Sequence, residues 1–196
     1  MAKNIVVKEN GDIILKNVRF SYLHVFSPKA FEPGGTPSYS GTFILDKVEH
    51  AEAIKEMRLI LDRMQKEAFK GRIPASKLCL RDGDETGKDE YEGKWIVVAR
   101  EREDNPPALL DRDGKTKVTK SDDKIYSGAH GNVMIRLWTQ NNSYGKRINA
   151  NLLGLQFLRH DEKFGGATRP KADEMFDSEG EVEGNDAWDD EDGDGL

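Results

Sequence analysis

Cysteine is nearly absent from this 196-residue chain, where Cys79 stands alone. A single thiol excludes an internal disulfide framework and any zinc site built from several cysteines. Long apolar runs are missing as well. The mean hydropathy is −0.73, and no window approaches the roughly 18–20 consecutive apolar residues of a membrane span. The opening Met1-Ala2-Lys3-Asn4 has no apolar signal core, so a reducing cytosol is the expected setting. Histidines are few and scattered, at 24, 50, 130 and 160, without the spacing of a metal site. Gly83 to Lys88 imitates a phosphate loop but has three residues between its glycines where four are needed, and Asp89 where Ser or Thr should stand. Asp190 to Gly195 follows the first half of a calcium loop without the Glu that closes one. Asn141-Asn142-Ser143 is a glycosylation sequon that reads as a turn. Cys79 lies in an apolar strand and reads as an inert thiol. No catalytic residue, metal or cofactor is expected.

Charge is abundant and unevenly placed. Charged residues make up 34% of the chain, and the net charge is −6. Residues 172–196 carry twelve acids and no Lys or Arg, which leaves 24 acids against all 30 bases in residues 1–171. A body of +6 is therefore joined to a tail of −12. Such asymmetry fits a nucleic-acid-binding body with an acidic regulatory tail, or a solvated terminus that only aids solubility. The tail is too acidic and too poor in apolar residues to fold alone, so disorder is expected there.

Alternation along the body predicts strands. Ile5–Lys8 precedes Asn10-Gly11, a strong hairpin signal. Ile13–Phe26 follows, with Val18, Phe20 and Tyr22 expected on one face. A Pro/Gly loop at 27–37 leads to a strand over 39–45. Asp46 and Glu49 have capping-box spacing for a helix of about 24 residues, with Ile54, Met57, Leu61, Met64 and Ala68 as its buried stripe. Further strands are predicted at 78–80, 94–102, 131–140 and 146–158. Residues 103–127 read as a long basic loop holding at most one hairpin. The result is a mostly antiparallel β domain with one principal helix, and these patterns alone leave barrel and sandwich both open.

One strand face stands out. Val133, Ile135 and Leu137 form the core side of 131–140, which places Arg136 and Trp138 together on the opposite side. Tyr144, Lys146 and Arg147 follow in the next turn. Aromatics interleaved with cations suit single-stranded nucleic acid, whose bases stack on rings while Lys and Arg track phosphates. On the neighbouring strand, Lys94, Arg100 and Arg102 share a face.

The stretches NVRFSYLHVFSPKAF (17–31), YSGTFILDK (39–47), LRDGDE (80–85), PPALLDRDG (106–114), YSGAHGNVMIRLW (126–138) and INANLLGLQFLRHDEKFGG (148–166) resemble bacteriophage single-stranded DNA-binding proteins, a family long catalogued as a domain of unknown function. The likeness covers nearly the whole body. It implies an OB-fold, an antiparallel Greek-key β-barrel, over residues 1–171. It also implies no enzymatic activity and a role in phage DNA replication and recombination within the cytoplasm of the infected bacterial host. The organisation is similar to the replication-associated binding proteins of short-tailed coliphages, whose acidic tails dock replication enzymes. Many such tails end on an aromatic residue, whereas here Trp188 is internal and the last residues are Gly195-Leu196.

These readings combine into one expectation. Arg136, Trp138, Tyr144, Lys146 and Arg147 form one wall of a groove for single-stranded DNA, with Lys94, Arg100 and Arg102 beside it. Lys115, Lys117 and Lys120 close over the strand from the long loop. The tail competes for the groove and, through Phe176, Trp188, Asp189, Asp190, Glu191 and Asp192, recruits a polymerase, helicase or nuclease. Three alternatives stand beside it. One is a recombination mediator that anneals strands or also binds duplex DNA. Another is an interaction protein acting only through its acidic tail. The third is a metal-dependent enzyme using Asp82, Asp84, Asp111 and Asp113, which read better as turn residues.

Overall fold

Asn10-Gly11 reverses the chain because Gly11 adopts a φ of 86° and the Asn10 side chain accepts the Asp12 N–H at 3.1 Å. Strand β1 (Ile5–Val7) therefore pairs back onto β2 (Ile13–Lys29), with Val7 opposite Ile13. The remaining elements are β3 (Ser38–Asp46), α1 (Ala51–Phe69), β4 (Leu80–Asp82), β5 (Lys94–Arg102), β6 (Ala108–Leu110), β7 (His130–Asn142) and β8 (Gly145–Arg159). The structure, a computed structural model, describes residues 3–165. Five strands run in the order β5-β3-β2-β7-β8, and β8 returns to β5 in parallel with Arg100 opposite Asn151. That return closes the sheet into the five-stranded barrel of an OB-fold and decides between barrel and sandwich.

The barrel fills from alternating inward residues. Phe20 and Phe43, both fully buried, meet edge to face at 5.9 Å. Leu15, Val97, Val133, Ile135 and Leu152 surround them without exposure. Gly131 lies against this cluster. A Cβ there would sit 2.1 Å from the Gln156 carbonyl oxygen and 2.4 Å from Phe20 Cζ, so the close approach of β7 to β8 requires glycine.

The helix is shorter than its sequence signals suggest. Asp46 accepts the N–H groups of Val48 and Glu49 at 2.8 and 3.0 Å, but this caps a turn, and α1 begins only at Ala51. Its 19 residues span about 28 Å at roughly 1.5 Å per residue. Ile54, Met57 and Leu61 are buried as expected, whereas Ala68 is exposed. Gln65 replaces it and accepts the Ile73 N–H at 2.9 Å, fastening the chain that leaves the helix. The 103–127 segment is also more ordered than a loop. Leu110 bridges Lys117, β6 runs parallel to β8, and Val118 and Ile125 enter the core.

Contacts divide the chain into Met1–Phe164 and Gly165–Leu196. The expected boundary at 171, and the tail with Phe176, Trp188 and Asp189–Asp192, lie outside the described residues. Among the described residues no helix is long and apolar enough to cross a membrane.

A buried carboxylate ties the start of β2 to β7. Asp12 is 2% exposed and receives the Arg136 guanidinium through Nε at 2.6 Å and a second nitrogen at 2.9 Å. The arginine holds the Asp12 carboxyl below the usual carboxylate range, against the upward pull of burial. A carboxyl lowered in the folded state contributes stability above its unfolded value and loses it as pH falls through the folded value. Asp12→Asn should therefore lower the denaturation midpoint at pH 7, and the gap to the parent should close between about pH 5 and pH 2. A gap independent of pH in urea titrations would contradict this role.

Candidate nucleic-acid interface

Alternation on β5 sends Val97 and Ala99 into the core and turns Ile96, Val98 and Arg100 outward. The register carries this outer face around the barrel. His24 lies opposite Ser40, Ser40 opposite Arg100, Arg100 opposite Asn151, and Asn151 opposite Arg136. One rung thus crosses all five strands. A groove follows it, in two stretches that share Arg81 and Val98.

The stretch over β2, β3 and β5 is aromatic. Tyr22 is 51% exposed and Phe31 50%. The Lys88 ammonium sits 3.9 Å from the Tyr22 ring centre, and the Arg100 guanidinium 4.5 Å from that of Phe31. His24 meets the edge of Phe31 at 5.9 Å. Tyr91 forms the floor and shares a 3.2 Å hydrogen bond with Ser21.

The stretch between β4, β5, β7 and β8 is cationic. Lys77, Arg81, Arg100 and Arg147 line it with Trp138, Asn149 and Asn151. Trp138 is 42% exposed, and its indole N–H donates to Asn151 Oδ1 at 2.7 Å, which fixes the ring against β8. Among the described residues, none of these four cations has a carboxylate within 4.0 Å. Burial, with Arg147 and Arg100 nearby, pushes the Arg81 guanidinium below its ordinary pKa. The arrangement suits a polyanion that carries flat rings.

Several expected residues converge here and others do not. Trp138, Arg100 and Arg147 share the cationic stretch. Arg136 is on the expected face, but its guanidinium is committed to Asp12. Lys94 is likewise committed to Asp46, and Arg102 to Asp104 at 3.1 Å. Tyr144, 84% exposed, occupies the tip of the β7–β8 hairpin outside the groove, and Lys146 leans towards the Phe69 ring at 5.8 Å. Lys115, Lys117 and Lys120 are exposed beside β6, and none lines either stretch. The loop's expected position over the groove is thus replaced by an extension of the sheet past β8. The acids weighed as metal ligands are engaged with protein groups. Asp82 and Asp84 hold Lys47, Asp111 holds Lys124, and Asp113 caps the turn at Lys115 and Thr116.

Sequence reasoning missed Tyr22, Phe31, Lys77, Arg81 and Lys88. Alternation places Tyr22 on one face with Val18 and Phe20, which are buried, whereas Tyr22 is exposed. Its φ of 47° breaks the alternation, and the β2–β3 register shifts between Ser21 and His24. The signal available for Phe31 and Arg81 was their place in the resembling stretches, since Phe31 closes one and Arg81 is the second residue of another; Lys77 and Lys88 lie in none.

The family described as Enterobacter phage Enc34, ssDNA-binding protein, matches residues 11–187. The structure is similar to that of the single-stranded DNA-binding protein from bacteriophage Enc34 in complex with ssDNA. The TM-score is 0.76 and the identity 36%, over 84% of this chain and 96% of that one. A C-terminal truncation of the same phage protein gives a TM-score of 0.75 at 35% identity, over 84% and 94%. A curated relative, putative protein p50 of Acyrthosiphon pisum secondary endosymbiont phage 1, is 26% identical over 175 residues, which is 84% of this chain and 92% of that protein.

Cys79 borders the cationic stretch but is 4% exposed, and burial pushes its thiol up to about 12. At pH 8 a disulfide reagent should therefore titrate this thiol only after denaturation. Rapid reaction of the native protein would mean that the groove floor opens.

Proposed function

The chain belongs to the family of the Enterobacter phage Enc34 ssDNA-binding protein, and on that premise we propose that it binds single-stranded DNA without sequence preference. The observation that carries the reading is the set of exposed rings of Tyr22, Phe31 and Trp138 beside Arg81, Arg100 and Arg147, which have no acidic partner among the described residues, on one barrel face. Bases stack on the rings while the arginines hold phosphates, and neither contact discriminates between sequences. A relative solved in complex with ssDNA supports the assignment. Lys115, Lys117 and Lys120 contribute through the field of the +6 body rather than by contact. The protein acts as a binder without catalysis, in phage DNA replication and recombination in the cytoplasm of the infected host.

The charge division supports a regulatory tail. A −12 segment tethered to a +6 body reaches an effective concentration on the order of millimolar and competes with DNA for the groove. DNA displaces it and frees Phe176, Trp188 and the Asp189–Asp192 run to recruit a polymerase, helicase or nuclease.

Fluorescence anisotropy with labelled oligo-dT tests both statements. Trp138→Ala should weaken binding about tenfold, within the roughly 1–3 kcal/mol of one stacked base. If about four phosphates are neutralised, log K should fall against log salt with a slope of roughly −3. Removal of residues 173–196 should tighten binding, most strongly at low salt. A labelled duplex in the same assay identifies a strand-annealing or duplex-binding protein by equal affinity. Absence of DNA binding by both forms of the chain would overturn the reading in favour of a protein that acts through its tail alone.

A further inference from the structure

The cationic end of the groove holds more positive charge than the backbone of a passing strand calls for. Lys77, Arg81, Arg100 and Arg147 line one cavity of about 210 Å³, with no acidic residue among the described residues of its wall. An internal phosphodiester brings a single negative charge, whereas a phosphate monoester brings nearly two at neutral pH. The aromatic stretch next to it differs, because Asp82 and Glu85 stand among its lining residues. The three arginines of the cationic end come from β4, β5 and β8, so three separate elements aim guanidinium groups at one place. Arg81 is half-buried and its Nε–H donates to the Leu78 carbonyl at 3.0 Å, which holds the group in position. Beside the cations, Trp138 presents a ring and Asn149 and Asn151 present amides, enough to meet one base.

We propose that this cavity is a site for a phosphate monoester, the chemistry carried by the phosphorylated end of a DNA strand and by a free nucleotide. The proposal rests on the single-stranded DNA reading above and adds a preference to it. A cluster of arginines attracts a monoester carrying nearly two negative charges more strongly than a diester carrying one, because the Coulomb energy scales with the charge of the acceptor. With the strand end held at Trp138, the remaining bases run towards Phe31 and Tyr22.

The test uses the full chain and short oligo-dT labelled at its 3′ end, with and without a 5′ phosphate. A preference of about tenfold for the phosphorylated strand is expected. Arg147→Gln should abolish the difference between the two strands. It is preferred to a change at Arg81, whose bond to Leu78 serves the fold. Thymidine monophosphate added as competitor identifies the source of the ligand. Displacement by the monophosphate but not by thymidine assigns the cavity to free nucleotides as well, whereas a retained preference without displacement assigns it to strand ends. Equal affinity for the two strands, without displacement, would overturn the proposal and leave the DNA-binding reading standing. Failure of either strand to bind would overturn both.

Discussion

Closure of the barrel rests on one parallel contact, and the groove depends on it. Arg100 of β5 meets Asn151 of β8, and the segment that carries β4 is wedged beside that contact, with Leu78 bridging Ile148 and Leu80 pairing Val97. A five-stranded sheet left open there would keep Arg100 apart from Arg147 and Trp138. Closure brings them into one wall and forces Arg81 between them, half-buried among like charges. Like charges gathered at a barrel seam, without acidic partners among the described residues, cost stability, and a bound polyanion would offset that cost. The same seam that completes the fold is therefore where the proposed polyanion would sit.

What was legible in the sequence follows from how local each determinant is. Strand identity and facing depend on alternation over a few residues, so β3, β5, β7 and β8 appear close to their predicted limits, and Trp138 emerges on the outer face. The resemblance carried the barrel, which alternation could not, because a parallel closure between residues 100 and 151 has no local signature. Tyr22 illustrates the opposite limit. A single residue at positive φ reversed the facing of the chain after Ser21, and no propensity signalled it. Arg136 lies on the expected face with its guanidinium engaged by Asp12, a partner 124 residues away that no local spacing signals. Asp46 had the right capping chemistry one turn too early, because His50 occupies the junction and its ring accepts the Asp46 N–H at 3.1 Å.

The cations divide along similar lines. Counting charge located the body's excess but not its focus. Lys94, Arg102 and Lys124 are balanced by neighbouring acids, whereas among the described residues Arg81, Arg100 and Arg147 are not. Pairing depends on which loops fold back onto which strands, and sequence spacing does not encode that. The proposed binding face is where, among the described residues, pairing fails and rings remain exposed, a combination visible only in three dimensions.

The central claim is that a strand lies along the outer rung between Tyr22 and Trp138. Photocrosslinking with an oligonucleotide carrying bromodeoxyuridine, followed by mass spectrometry of the adducts, tests it directly. The account predicts adducts at Tyr22, Phe31 and Trp138. Adducts confined to residues 103–127 or to the hairpin tip at Tyr144 would contradict it.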